Sequence, residues 1–322
     1  MTAEIPTISY LRTHPHGLMF HRFHENASDY PLQGSLSSAD FERILLFVGL
    51  DNILVPDEWL SRLQAGTLGP LDLCLTFDDG LRSQIDFAQP VLAKYGLRAF
   101  WFVYSSVFEG GVVKSEVYSH AAAHMGGMAV LAKTMLNQFP ADLRSQLNTP
   151  EFLRYQGKML QLFPFYTPQD CQFRFLRNSA EHQEVFETLM DHVMEAHGLN
   201  PKQISNQLWM DEEHLKFLLE AGHWIGLHSY SHPYAVGVLS YSEQEAEYQR
   251  NYDHLASLTG CKPRSVSHPL NSYNSTTLQI LTALGIECGF CSNMSGSSGI
   301  NRTANRLLMA REDSTTLLTL AK

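Results

Sequence analysis

Short apolar runs alternate along the chain with longer stretches in which apolar residues recur every three or four positions. The runs Gly17 to Phe23, Leu71 to Asp78, Arg98 to Tyr104, His223 to Ser229, Pro263 to His268, Ile286 to Ser292 and Arg306 to Arg311 predict strands. The helical spacing predicts helices over Ser38 to Val48, Ser83 to Tyr95, Asp211 to Ala221, Ser242 to Leu258 and Ser275 to Leu284. Asp211, followed by Glu212 and Glu213, and Ser242, followed by Glu243 and Glu245, are the expected N-caps of two of them. Strand and helix in alternation predict an α/β fold with a parallel sheet, open or closed into a barrel. In either form the site is expected at the C-terminal ends of the strands.

Residues 106–207 break this rhythm, because helical spacing and breakers such as Pro140, Pro150, Pro164 and Pro168 accumulate there without a convincing strand. A single catalytic domain over residues 1–322 with a helical insertion over 106–207 is therefore expected. The insertion carries Phe163-Pro164-Phe165-Tyr166, Phe173, Arg174, Phe175 and Arg177, which either cover a site, with Arg177 reaching a sugar or anionic group, or pack the insertion. Ser295 to Gly299 is expected to be a loop.

At 322 residues the chain can bury a large core, and its formal charge of -10 disfavours a nucleic acid or anionic membrane partner. The N-terminal residues Met1 to Pro6 do not resemble a secretory signal, and no apolar run is long enough for a transmembrane segment, so a cytoplasmic protein is expected. Five scattered cysteines fit reduced thiols better than disulfides. Cys288-Gly289-Phe290-Cys291 has the spacing of a redox or zinc motif, yet it lies in a strand-like run without a second pair and is expected to be buried thiols.

Two stretches carry chemistry. Leu73-Cys74-Leu75-Thr76-Phe77-Asp78-Asp79-Gly80 delivers two adjacent carboxylates at a strand end, where one can bind a metal while its neighbour acts as a base. Gly226-Leu227-His228-Ser229-Tyr230-Ser231-His232 supplies two imidazoles four residues apart, again after an apolar run. A carboxylate and two histidines leave coordination positions open for water and a substrate carbonyl, the makings of a hydrolytic metal site.

Thr76-Phe77-Asp78-Asp79-Gly80 and His228-Ser229-Tyr230-Ser231-His232, in this order, resemble the first two motifs of the polysaccharide deacetylase (NodB-homology) family, carbohydrate esterase family 4. The resemblance spans Gly17 to Leu318 apart from the insertion. It implies a distorted (β/α)7-type barrel, a bound zinc or other divalent transition metal, and hydrolysis of an acetyl group on a sugar. By the same resemblance Asp79, His228 and His232 are the metal ligands and Asp78 is the general base.

Two departures from the family pattern require substitutes. The third motif, usually Arg-Pro-Pro-Tyr-Gly, corresponds to Ser267-His268-Pro269-Leu270-Asn271-Ser272-Tyr273, with Ser267 where the base-orienting arginine would stand. Arg311, at another strand end, either replaces that arginine or pairs with Glu312 or Asp313 on the surface. The amide of Leu270 is available to a tetrahedral oxyanion, a contact worth about 3 to 4 kcal/mol when well aimed. His268 and Tyr273 are candidate substrate contacts, and His268 equally fits a supporting place in the turn. No histidine follows His268, so the family's C-terminal general acid must come from elsewhere. His21-Arg22-Phe23-His24 resembles the histidine element that opens permuted members, with His21 expected to be the acid and His24 to contact substrate.

The leading expectation is a metal-dependent hydrolase removing an N-acetyl group from an acetylated amino sugar or glycan intermediate. An amidase acting on a small non-sugar N-acyl, formyl or ureido substrate, and a non-catalytic glycan-binding protein retaining the fold, are the alternatives. Asp78, which a pure binder does not need, favours an enzyme.

Overall fold

The computed structural model describes residues 11, 13–25, 34–162, 166–178, 183–292 and 305–322. They fall into two compact units: Lys114–Leu208 forms one, and Gly34–Val113 with Trp209–Lys322 and the strand at His16–Phe20 forms the other.

Among its described residues the second unit has nine strands: β1 (His16–Phe20), β2 (Phe23–His24), β3 (Leu36–Ser37), β4 (Leu73–Asp78), β5 (Phe100–Val103), β6 (Trp224–Leu227), β7 (Ser265–Ser267), β8 (Cys288–Phe290) and β9 (Arg311–Asp313). Seven form one parallel sheet in the order β8-β7-β6-β5-β4-β1-β9, and β2 and β3 form a separate parallel pair. The sheet nearly closes into a barrel because the segment leading into β9 returns to β8. Gly289 N donates to Arg306 O, Met309 N to Gly289 O and Cys291 N to Met309 O, each at 2.8 Å. A Cβ on Gly289 would stand 2.5 Å from Leu307 O, so the glycine of the Cys-x-x-Cys stretch is what lets this closing segment approach. Both cysteines of that stretch are buried free thiols, as expected from their strand.

The strands alternate strictly, as their period of two requires. Leu75, Phe77, Trp101, Val103, Leu227 and Val266 pack in the outer core, while Cys74, Phe100, Phe102, Cys288 and Phe290 form an inner cluster. Helices α1 (Ser38–Val48), α2 (Pro56–Ala65) and α3 (Gln89–Tyr95) belong to this first half. The position of α2 sets one end of the barrel. Its Trp59 and Leu60 join the inner cluster, Leu54 N donates to Leu73 O, Asp57 accepts from Trp224 Nε1 and Gln64 Nε2 donates to Glu287, all next to strand starts. The other end is left for the strand termini that carry polar residues.

Lys114–Leu208 contains α4 (Lys114–His124), α5 (Met128–Gln138), α6 (Ala141–Gln146), α7 (Pro150–Leu162), α8 (Pro168–Arg177), α9 (Gln183–Ala196) and α10 (Pro201–Leu208), with no strand among its described residues. Phe173 is buried on Phe186 at a centroid distance of 5.1 Å, and Phe175 meets Phe152 and Tyr155 at 5.2 and 5.3 Å, so these aromatics pack the helical unit itself. Phe163 to Phe165 and Ser295 to Gly299 lie outside the described residues.

The chain ends with α11 (Glu212–Glu220), α12 (Tyr241–Thr259), α13 (Ser275–Ala283) and α14 (Ser314–Leu320). Asp211 caps α11 as expected, but the cap of α12 is Ser240, not Ser242, because Ser240 and Glu243 exchange both bonds of a capping box. Among the described residues no helix is long and apolar enough to cross a membrane.

Candidate metal centre and catalytic residues

Strand β4 ends on Asp78, an inward position, and the chain then enters the left-handed region at Asp79 (φ 79°) and Gly80 (φ 62°). That reversal separates two sequence neighbours, so that Asp78 meets Arg311 and Asp79 meets the histidines. Aspartate tolerates left-handed backbone better than most residues with a side chain. Gly80 is required twice over, by its φ and by Val103 Cγ1, 3.1 Å from where a Cβ would stand.

The loop after β6 brings His228 Nε2 to 3.5 Å and His232 Nε2 to 3.7 Å from Asp79 Oδ1. These separations are long for hydrogen bonds. They suit donors sharing a cation, since zinc bound at about 2.0 to 2.1 Å in a tetrahedral site holds its ligand atoms about 3.3 to 3.4 Å apart. His228 Nδ1 faces Ser267 O at 2.9 Å and must carry the proton, which leaves the Nε2 lone pair toward Asp79. The Tyr104 ring lies against both imidazoles, at centroid distances of 6.3 and 5.2 Å. Among the described residues Asp79, His228 and His232 are the group able to hold a metal, and their oxygen and nitrogen donors fit a divalent transition metal.

Burial opposes ionisation of Asp79, yet the close approach of His228 and the charges of His21, His232 and His228 hold its carboxyl well below the usual carboxylate range. The histidines diverge. Burial pushes His232 down to about 4, whereas at His228 the attraction of Asp78 and Asp79 overcomes burial and raises the pKa.

Asp78 is held from β9, two strands away in the sheet. Arg311 NH1 donates to Asp78 Oδ1 at 2.7 Å and NH2 to Oδ2 at 2.8 Å, a bidentate pair with both residues buried. Ser267 Oγ bonds to Asp78 Oδ2 at 3.0 Å and accepts from Arg311 NH2 at 2.7 Å, and Arg311 Nε donates to Cys291 O. Burial raises the Asp78 pKa, but the Arg311 guanidinium, backed by His228, more than offsets it and keeps the carboxyl below its usual value. Arg311 thus lies inside the barrel on the acid, not on the surface against its neighbours Glu312 and Asp313. Space for it comes from Gly17 on β1, where a Cβ would sit 3.0 Å from Arg311 Cγ.

His21 follows β1 and places Nε2 3.7 Å from Asp78 Oδ2, with 30% of its side chain exposed. Gln84, at the start of a π-helical turn over Gln84–Ala88, donates from Nε2 to Asp78 O at 2.6 Å and to His21 O at 2.7 Å, joining the two strand ends. Leu270 (φ 49°) begins a left-handed turn completed by Asn271 (φ 58°), and Asn271 Oδ1 accepts from Ser292 N at 3.1 Å.

The other expected contacts are placed differently. His268 is 1% exposed and its Nε2 lies 2.9 Å from Leu307 O, so it ties the barrel's closing segment and does not present its ring to a substrate. Tyr273 is half-buried on that ring, 4.7 Å away between centroids. His24 sits on β2 with Nδ1 2.8 Å from Ser35 Oγ. Arg177, expected to contact substrate, is buried in the helical unit, where Nε donates to Asn178 Oδ1 at 3.0 Å.

Sequence reasoning missed Gln84, Tyr104 and two residues of α12. Asn251 Oδ1 accepts from His228 N, and Glu247 accepts from the amides of Tyr230 and Ser231. The available signal was a pair of polar residues four apart on a helix that directly follows the histidine loop.

A nearly closed parallel barrel of seven strands with a carboxylate and two histidines at its C-terminal edge defines a (β/α)7-type fold with a candidate metal hydrolase site. The profile of the polysaccharide deacetylase family matches residues 177–289, a stretch that holds His228, His232 and Ser267. A comparison with curated protein sequences finds no match. Among solved structures the chain is similar to the deacetylase PplD of Streptococcus pyogenes in complex with acetate, with 17% identity and a TM-score of 0.57 over 97% of this chain and 99% of that one. It is also similar to IcaB from Ammonifex degensii, at 16% identity and a TM-score of 0.54 over 96% and 97% of the two chains. A de-N-acetylase from Aggregatibacter actinomycetemcomitans matches at 13% identity with a TM-score of 0.53 over 93% and 94%. The likeness to polysaccharide deacetylases is one of sequence over residues 177–289 and of fold over nearly the whole chain.

Proposed function

We propose that the protein is a metal-dependent hydrolase that removes an N-acetyl group from an amino sugar of a glycan or glycan precursor, releasing acetate and a free amine. The observation that carries this reading is the meeting, at one end of one barrel, of a cation donor set (Asp79, His228, His232) with a separate buried carboxylate, Asp78, clamped by an arginine. The family match and the deacetylase folds support the acetylated-sugar class over a small non-sugar amide.

A divalent cation on those three donors, zinc being the first candidate, would supply a Lewis acid for the amide carbonyl and bring the pKa of water toward about 7. Asp78 accepts the proton of the attacking water as the water oxygen bonds to the acyl carbon. Its pair with Arg311 keeps it ionised at neutral pH and fixes the plane of the carboxylate, while Ser267 Oγ bonds to both partners. His21, partly exposed beside Asp78, is the donor of a proton to the nitrogen as the C–N bond breaks. The Leu270 amide donates to the oxygen that becomes negative at the tetrahedral stage.

The test is to purify the protein, quantify its metal and follow acetate release from a panel of N-acetylated sugars with and without chelator. Chelator-sensitive release is expected, and Asp78→Asn should abolish it while leaving metal content intact. Failure of the wild-type protein to take up a divalent metal even after reconstitution would overturn the reading, as would undiminished turnover in Asp78→Asn.

A further inference from the structure

The loop that carries both histidines holds a shape its own backbone does not favour. Ser229 (φ 59°) and His232 (φ 56°) lie in the left-handed region, which costs a residue with a side chain about 1 kcal/mol or more. Within the loop the support is a single bond, from His232 N to Ser229 Oγ at 3.1 Å. The remaining anchors come from outside. Ser106 N donates to Tyr230 O at 3.0 Å, His228 Nδ1 to Ser267 O at 2.9 Å and Tyr230 Oη to Glu109, and a further set comes from α12.

On α12, Glu247 Oε2 accepts from Tyr230 N at 3.0 Å and from Ser231 N at 2.9 Å, and Oε1 accepts from Ser231 Oγ at 2.7 Å. One turn later, Asn251 Oδ1 accepts from His228 N at 3.0 Å, while its Nδ2 donates to Val103 O at 3.1 Å and Ser105 Oγ at 2.9 Å. The two residues are four apart and share a face. Asn251 therefore fixes the first histidine to the end of β5, and Glu247 fixes Tyr230 and Ser231, two of the three residues that separate it from the second. The docking of α12 does not need them, because Tyr248 and Leu255 are fully buried in the core and supply that.

We propose that Glu247 and Asn251 are positioning residues of the metal centre, which hold His228 and His232 in the arrangement that lets both Nε2 atoms and Asp79 share one cation. The inference rests on the proposed ligand set but concerns residues outside it. Its physical basis is that a carboxylate accepting amide hydrogens binds about twice as strongly as a neutral acceptor, and that it acts here on two of the three residues between the ligands, Tyr230 and Ser231.

The experiment measures zinc affinity by competition with a chromophoric chelator, together with the melting midpoint of the metal-free protein. Glu247→Ala should weaken zinc binding by about 10- to 100-fold, the usual loss when a residue that orients metal ligands is removed. Glu247→Gln should restore most of that affinity, because its amide oxygen can accept both backbone hydrogens and its nitrogen can donate to the Ser231 hydroxyl. Ser231→Ala, which removes one bond, should give a smaller loss in a protein that folds normally. Thr259→Ala, which breaks the Thr259 Oγ1 to Leu255 O bond at the far end of α12, should lower the midpoint without moving affinity. Wild-type affinity in Glu247→Ala or Ser231→Ala, or Glu247→Gln as weak as Glu247→Ala, would overturn the positioning role. A wild-type protein that binds no zinc would instead refute the ligand set, and the positioning role with it.

Discussion

At the N-terminal end of the strands, Trp59 and Leu60 of α2 enter the barrel against Cys74, Phe100, Cys288 and Phe290, whereas the C-terminal end of the same barrel holds Asp78, Asp79, His228, His232 and Arg311. The contrast extends to the backbone. Among the described residues the non-glycine positions with left-handed φ are Asp79, Ser229, His232, Leu270 and Asn271, and all follow the C-terminal ends of β4, β6 and β7. One end is apolar and conformationally relaxed, while the other gathers buried charge and unfavourable dihedrals, which persist only where the surroundings over-determine them. The fold therefore tolerates change unequally: substitutions at the first end should alter stability alone, and those at the second should alter chemistry as well.

The largest effect is expected at the buried ion pair. Arg311→Ala leaves the Asp78 carboxylate without its guanidinium, and removal of one partner of such a pair costs about 3 to 5 kcal/mol. Chemical denaturation should register that loss, and acetate release should fall with it because the base loses its orientation. The double variant Arg311→Ala/Asp78→Asn should regain much of the stability and none of the turnover. If Arg311→Ala were neutral on both counts, the electrostatic distinction between the two ends would fail.

Trp59→Ala probes the opposite end. A fully buried tryptophan in the inner cluster should cost about 3 to 5 kcal/mol on truncation, measured as a lowered denaturation midpoint. Zinc affinity and kcat of the remaining folded protein should be unchanged. A loss of zinc affinity in excess of the unfolded fraction would show that the ends are coupled.

These positions also show what was legible in the chain. Asp78, Asp79, His228 and His232 stood out because adjacent acids or paired histidines at the end of an apolar run have little structural purpose. Strand β4 and helix α1 followed from periodicity, and α1 matches its expected range of Ser38 to Val48. Helix α2 escaped notice because its apolar residues, Trp59, Leu60 and Leu63, mark only a short face and its task, plugging the barrel, is a tertiary one. The last strand is shifted from Arg306–Arg311 to Arg311–Asp313, since the apolar residues before it serve the irregular closure against β8. The lack of an arginine at Ser267 and its replacement by Arg311 could be read as one of two alternatives, but the choice of Asp78 over Glu312 or Asp313 as the partner of Arg311 needs three dimensions. The burial of His268 and Arg177 was not legible, because a histidine or arginine carries no mark of its depth in the linear chain.

A smaller effect, again at the N-terminal end, follows acid. His223 is buried next to the start of β6, and its Nδ1 accepts the Ala99 amide at 3.0 Å, which only the neutral ring can do. Burial, assisted by the charge of Arg98, lowers its pKa from 6.5 to about 4. The unfolded chain therefore binds this proton first as pH falls. The stability that His223 contributes is complete above pH 6.5 and is lost progressively down to about pH 4, a change of about 3 kcal/mol at 1.36 kcal/mol per pH unit. His223→Asn, whose amide oxygen can accept the same N–H, should flatten the decline in melting temperature between pH 7 and pH 4. An acid limb as steep as that of the wild type would assign the decline to other buried groups.

The smallest predicted effect tests whether the exchanged arginine has truly been given room. Gly17 has no left-handed φ to explain it; what it provides is space, because a Cβ there would meet Arg311 Cγ at 3.0 Å and Thr76 Cγ2 at 3.3 Å. Gly17→Ala should therefore cost about 1 to 3 kcal/mol by crowding, against any gain from stiffening the unfolded chain. It should also lower turnover by displacing the guanidinium from Asp78. In the Arg311→Ala background the crowding atom is gone, so the same Gly17→Ala change should become neutral or slightly stabilising. That non-additivity, read from a double-mutant cycle on the denaturation midpoint, separates a glycine kept for the arginine from one kept for the strand. Equal costs in the two backgrounds would place the cause in β1 itself and leave the accommodation of Arg311 to Ser267 alone.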